Sequence, residues 1–384
     1  MSEKRVDKSK EGQRSVRSFL SFLLMLAAVL LVVLFAAYRD GTGFDILRRY
    51  LHYGRAEQAG GTTVYHFDAA SKNRFALLGE SLVVLSDASL SLYNSAGEEI
   101  WSTPVTMTAP ALVTGGGRAA AYDVGGTALY VLDQTGLVLE LTAGEEEPYI
   151  SATLNKNGAL AVTAQKRGYK GSVKVYDRAL NPAFEFQSSQ RFIMDGYVLG
   201  DFLAAVTLGQ ENGVFVSNIV LYKMPETEPA ADYSISGGLV AAIGEQEGRL
   251  VTISDTALTF ANTGGEITGT YSYSGSYLRE YDLGGTGFAA LLLNRYRSGS
   301  VGRLVTVDKN GEVLGSLDVR EEVLSVSASG RYLAVLYADR LAVYNQDLQP
   351  YATLQGTGDA REALMRSDGS VLLLSSGSAS LFLP

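Results

Sequence analysis

From Val64 onward the chain alternates short apolar runs with turns that carry Gly, Asn or Asp. One landmark recurs: an apolar strand that ends just before an Asp, an Asn or a similar turn former. It reads LSLYN (90–94), LYVLD (129–133), VKVYD (173–177), IVLYK (219–223), LTFAN (258–262), LVTVD (304–308), LAVYN (341–345) and SLFLP (380–384). The residues at the Tyr position, from Tyr93 to Phe382, are separated by 39, 44, 46, 39, 46, 37 and 38 positions. A propeller blade of four strands repeats every ~40–45 residues, so the spacing predicts an all-β protein, a β-propeller of eight four-stranded blades. Seven blades result if the weak repeat at 236–272 is absorbed by its neighbours.

A second landmark precedes the first, a turn followed by a strand of small apolar residues. Examples are NGALAVTA (157–164), GDFLAAVT (200–207), GTGFAALLL (285–293), SGRYLAVLY (329–337) and DGSVLLLS (368–375). Small side chains suit the crowded inner part of a blade. Strict alternation fails there because both faces of a blade are buried against neighbours. After SLFLP the last blade lacks an outer strand, and TTVYHFD (62–68) is free to supply it. That pairing closes the ring and removes an open sheet edge.

Ahead of the repeats, residues 19–38 read FLSFLLMLAAVLLVVLFAAY, with Ser21 the one clearly polar side chain. A helix of this length spans a bilayer core of ~30 Å. A cleavable signal peptide is the competing reading, but the run is long and no small-x-small site ends it. The sequence therefore predicts a basic cytoplasmic tail (1–18), a transmembrane helix (19–38), a linker with a short amphipathic helix (39–60) and an extracellular propeller (61–384). The amphipathic stretch places Phe44, Leu47 and Leu51 at i, i+3 and i+7, either on the membrane surface or as a plain neck.

Charge sharpens this division. The whole chain carries −9, while residues 1–17 hold six Lys/Arg against three acidic residues, which leaves −12 for the part after the span. The basic flank keeps the tail inside. An acidic domain excludes nucleic acid as the main partner. Cysteine is absent, which removes disulfides, thiolate metal sites and thiol nucleophiles. Two histidines, His52 and His66, are too few for a histidine metal centre or triad. No metal, cofactor or catalytic residue is assigned. Glycine-rich pieces such as 115–117 and 284–287 lack the phosphate-loop Lys and read as turns. Asp123, Asp201 and Asp282 fall near inner-strand turns without a calcium-loop pattern. The run Glu145-Glu146-Glu147 reads as a solvated loop.

The segment LYNSAGEEIWSTPV (92–105), with Gly97 and Trp101, resembles the repeat unit of quinoprotein-type propellers, and the blades also resemble WD40 repeats. Trp101 is the only Trp, so a ring of tryptophans cannot form. DQTGLVLEL (133–141) and DKNGEVLGSL (308–317) keep Asp-x-x-Gly without the aromatic. Taken whole, the chain resembles the domain-of-unknown-function family 5711, single-pass, membrane-anchored propellers of Gram-positive bacteria. That resemblance implies an envelope location and brings no activity, cofactor or site residue with it.

Candidate binding residues come from loop lengths. The connection between second and third strands is enlarged at 164–172, 208–218 and 294–303, on the face that also carries the connections between blades. The first and third bring Lys166, Arg167, Tyr169, Lys170, Arg295, Tyr296, Arg297 and Arg303. The connection at 270–281 adds Tyr271, Tyr273, Tyr277 and Arg279. A basic and aromatic patch on an acidic domain points to an anionic or carbohydrate ligand. The bland alternative has tyrosines on strand faces and arginines that solubilise loops. The expected function is a non-catalytic binding or scaffold module for an envelope protein or cell-wall polymer. The alternative is a propeller enzyme, either a glycan hydrolase using channel carboxylates or a quinone-dependent dehydrogenase.

Overall fold

The computed structural model describes residues 21–32, 49, 62–70, 73–235 and 238–384. Two compact units divide the chain at Glu57/Gln58. In the first, residues 21–32 are helical, and Phe22, Leu24, Met25 and Val32 are exposed. Among the described residues no helix is long and apolar enough to cross a membrane. The basic tail, both ends of the expected span and the amphipathic stretch around 44–55, Arg49 apart, lie outside them.

The second unit is eight antiparallel sheets of four strands each. Blades one to seven occupy residues 74–104, 110–142, 149–187, 192–235, 240–272, 277–319 and 323–355. Blade eight combines 362–382 with the strand Thr62–His66, which pairs antiparallel with Ser378–Phe382 as the outermost strand. Eight blades replace the seven-blade alternative, because within the weak repeat residues 240–272 form a full four-stranded sheet of their own.

Burial explains the sequence pattern strand by strand. Second strands such as Ala289–Asn294 and Tyr332–Tyr337 are buried at every position, so they read as continuous apolar runs. Outer strands such as Glu99–Pro104 and Ile267–Ser272 alternate exposed and half-buried residues, so they read as alternating ones. The recurring strand that ends before Asp or Asn is the third of each blade. In blade one, Asn94 ends it and its Oδ1 accepts from the backbone N–H of Ala96 and Glu98, both at 3.0 Å. This tight Asx turn leads into the outer strand.

Eight apolar clusters hold the sheets together, and each lies between two adjacent blades. The last joins Tyr65, Leu372 and Leu374 of blade eight to Leu82, Val84 and Tyr93 of blade one. Polar side chains on the innermost strands add a second set of ties. Ser151 donates to Asp195 at 2.7 Å between blades three and four. Ser325 and Ser327 accept from the N–H groups of Ala363 (3.3 Å) and Met365 (3.0 Å) between blades seven and eight. Inner-strand edges have no further strand to pair with, so these side chains satisfy backbone groups facing the axis.

Candidate functional site

Blade connections and the loops between second and third strands open on one face, here the upper face. The enlarged connections at 165–171 and 295–301 are loops, as the residue count requires. The stretch 208–218 is not. The strands Phe202–Glu211 and Val214–Lys223 continue to a two-residue turn, with Glu211 opposite Val214. Asn212 (φ 52°) and Gly213 (φ 84°) take the left-handed conformations of a tight hairpin turn. The Asn-Gly pair, a favoured two-residue hairpin turn, was the sequence signal for it.

The twelve candidate residues fall in two places, separated by blade four. On blade three, Lys166 Nζ meets Glu147 Oε2 at 3.2 Å, Arg167 pairs with Glu146 at 3.3 Å, and Lys170 lies 4.8 Å from the Phe192 ring centre. Glu147 and Glu146 of the acidic run are therefore the local partners of Lys166 and Arg167 and offset their charge. Tyr169 stands exposed beside them.

On blades five and six the remaining eight residues converge. Tyr271 and Tyr273 come from the end of blade five, with ring centres 6.3 Å apart. With Arg295, Arg303 and Arg320 they line a cavity of about 630 Å³. Arg303 contacts Asp318 at 3.5 Å. A second cavity of about 400 Å³ lies along the same loop, lined by Arg279, Arg297, Ser298, Ser300, Glu321 and Glu322. Val319 belongs to both walls. Arg297 stacks on Tyr277 at 5.5 Å and Arg295 on Tyr296 at 5.7 Å. Among the described residues Arg279, Arg295, Arg297 and Arg320 make no ion pair, whereas Lys156, Arg191, Lys309 and Arg340 each pair with a carboxylate. Four guanidinium groups without an ion pair thus gather near the exposed Tyr277 and Tyr296, a basic and aromatic patch on an acidic domain.

Burial pushes the Tyr271 hydroxyl pKa up, with Arg303 opposing. Tyr273 is almost fully buried, its hydroxyl pKa is raised by burial, and its oxygen has no hydrogen-bond partner among the described residues. Sequence reasoning did not find Arg320. It lies in the connection from blade six to blade seven, on the same face, and loop length alone gave no reason to look there.

The axial carboxylates form a separate group. Burial raises Asp195 to about 6, Glu280 to about 7, Asp282 to about 6 and Glu362 to about 7. Glu280 accepts from the Val326 N–H at 3.0 Å, and Asp282 from the N–H groups of Ala328 (3.0 Å) and Gly284 (2.6 Å). Asp195 takes Ser151 and the Gly196 N–H. Asp195, Glu280 and Asp282 are thereby engaged in lashing neighbouring inner strands together. Asp123 likewise caps a turn, accepting from Ala109 N–H at 2.7 Å. No group of acidic residues or histidines among the described residues is arranged to hold a metal ion.

Fold and site together define an eight-bladed β-propeller whose upper face carries an arginine–tyrosine groove. The model of a family of unknown function, DUF5711, matches residues 57–349, and the chain belongs to that family. No curated protein matches the chain by sequence. Among solved structures it is similar to BamB from Moraxella catarrhalis, at 13% identity and a TM-score of 0.52, over 84% of this chain and 97% of that one. It is also similar to the quinohemoprotein alcohol dehydrogenase ADHIIG from Pseudomonas putida HK5, at 10% identity and a TM-score of 0.52, covering 83% and 75% of the two chains. Apo AztD from Citrobacter koseri matches at 12% identity and a TM-score of 0.50, over 74% of this chain and 86% of that one. At such identities the likeness is one of fold.

Proposed function

We propose that the protein is a single-pass membrane protein, tail inside and propeller outside, that acts as a non-catalytic binding module for an envelope protein or cell-wall polymer. The observation that carries the binding role is the groove on blades five and six. There the unpaired guanidinium groups of Arg279, Arg295, Arg297 and Arg320 gather beside exposed tyrosines on a domain of opposite net charge. Fixed, unpaired charge orients an incoming anionic surface and speeds encounter while contributing little to folding. The anchor reading is supported by the uncharged run at 19–38 and by the exposed apolar side chains of residues 21–32. The channel carboxylates favour an enzyme less, since three of them already accept hydrogen bonds within the blade seams.

The test uses the full chain bearing an N-terminal tag. Protease added to intact cells should remove the propeller and spare the tag. Arg295→Glu with Arg297→Glu should abolish capture of envelope proteins or purified cell-wall fragments, with circular dichroism and melting unchanged. Equal capture by parent and double variant would return these arginines to the role of solubilising a loop.

A further inference from the structure

The two cavities along the 295–301 loop differ in charge, and the difference specifies a ligand. In the first, Arg295 and Arg320 are unpaired, and Arg303 is offset by Asp318, so the cavity is net positive. Guanidinium groups present planar forks that match the oxygens of phosphate two at a time. In the second, the lining combines Arg279 and Arg297 with Glu321 and Glu322 and with Ser298 and Ser300. Glu321 is already held by Arg340 at 2.7 Å. That set carries no net charge and mixes donors with acceptors, which is what hydroxyl groups need, since each both gives and takes a hydrogen bond. Arg297 is held at this cavity with its guanidinium 5.5 Å from the Tyr277 ring centre.

We propose that the groove recognises a sugar or polyol phosphate, with the phosphate in the first cavity and the hydroxyl-bearing unit in the second. The proposal rests on the binding reading above and names its ligand chemistry. Glu322, which has no cation of its own among the described residues, repels a second closely spaced anion. A dense polyanion is therefore a poorer fit than a chain in which phosphates alternate with neutral polyols. Val319, shared by both walls, marks where the two cavities adjoin. Volumes of about 630 and 400 Å³ fall in the range of ~300–1,000 Å³ usual for small-ligand sites.

Calorimetric titration of the full chain in detergent tests this with inorganic phosphate, glucose, glucose 1-phosphate, a glycerol phosphate oligomer and polyglutamate. The expected result is that glucose 1-phosphate or the oligomer binds at least about tenfold more tightly than phosphate or glucose alone, a factor worth about 1.4 kcal/mol. Arg295→Ala with Arg320→Ala should remove that gain. Ser298→Trp, at an exposed loop position, should weaken the sugar phosphate and leave inorganic phosphate unchanged. Affinity that rises with oligomer length identifies a polymer as the source, and equal affinity identifies a small molecule; both support the proposal. Polyglutamate binding as tightly as the sugar phosphate, or a sugar phosphate no better than phosphate, overturns it. If capture of envelope material still depends on Arg295 and Arg297 while no sugar phosphate binds, the ligand class fails and the binding role stands. Loss of both dependences removes both.

Discussion

Glu280 shows how a single side chain in this propeller serves position at the expense of solvation. Its carboxyl sits on the innermost strand of blade six and accepts from Val326 N–H of blade seven. Burial raises its pKa to about 7, with Asp282 adding to the shift and Val326 N–H and Arg279 opposing it. Asp195, Asp282 and Glu362 are raised for the same first reason. A carboxyl with a raised pKa holds its proton longer in the folded state than in the unfolded chain. The folded state then binds more protons between the two pKa values, so stability falls as pH rises through that window. The domain should gain stability on acidification from about pH 8 to about pH 5, and Glu280→Gln should shrink that gain. The amide keeps an oxygen for Val326 N–H and carries no charge, so the variant should be more stable at about pH 8, on the order of 1–3 kcal/mol. Urea midpoints across pH check this, and an unchanged pH slope in the variant would refute it. The roles of Asp195, Glu280 and Asp282 as ties between blades were not legible in the sequence, because an Asp or Glu on an inner strand looks like any other until its neighbour is in place. The arginines and tyrosines of blades five and six were legible, since loop length and face follow from blade periodicity. Partners were not: the chain gives no sign that Glu146 and Glu147 neutralise Lys166 and Arg167 while Arg295 stays free.

Between neighbouring blades, the turn from third to outer strand packs against the outer strand of the preceding blade. Gly311 of blade six approaches Thr270 of blade five, and Gly136 of blade two lies over Trp101 of blade one. Where the turn residue is large, the facing strand gives way: Leu348 of blade seven, at φ 58°, sits against Gly315 of blade six. The lone Trp101 thus has a local packing partner and needs no ring of tryptophans. These contacts explain why the Asp-x-x-Gly spacing survives where the aromatic does not. Gly97 is the tightest case tied to closure. Its φ is +84°, and a methyl group there would lie 1.8 Å from the Val64 carbonyl oxygen on the closing strand. Gly125 has a similar φ, +80°, but open space around it. Alanine in a left-handed conformation costs roughly 1–2 kcal/mol, so Gly125→Ala should lose about that much. Gly97→Ala should lose clearly more, since backbone must also move. Equal losses in denaturant melts would show that the turn does not bear on the strand. The strand pattern and eight-fold repeat were readable because burial on two faces writes itself as apolar runs. The hairpin at 208–218 was missed because its length suggested a loop while its Asn-Gly turn specified the opposite.

At the scale of the whole molecule, stability depends on an interface made from residues distant in sequence. Seven of the eight apolar clusters join blades that follow one another along the chain, and the eighth joins blade eight to blade one. Tyr65 is its anchor, 1% exposed, with its hydroxyl donating to the Glu80 carbonyl at 3.1 Å. Arg366 of blade eight donates to the same carbonyl at 3.1 Å, and Tyr93 meets the Tyr65 ring edge-on at 6.3 Å. Removing residues 62–66 would unpair the edge of Ser378–Phe382 and uncover this cluster at once. Each blade is held only by its two neighbours, so opening one interface weakens the ring as a whole, which can then unfold from both free ends. Deleting 62–66 should therefore lower the melting temperature of the entire propeller in a single transition. Tyr65→Ala should cost about 3–5 kcal/mol through the cavity left by a buried ring. Tyr65→Phe keeps the ring and loses only the hydrogen bonds, so it should cost roughly 1–2 kcal/mol. Melts followed both by far-ultraviolet circular dichroism and by Trp101 fluorescence would separate the outcomes. Coincident, lowered transitions fit closure by the Thr62–His66 strand. An unchanged melt, or an early step seen by one probe alone, would mean that blade eight frays independently and that the ring is held elsewhere.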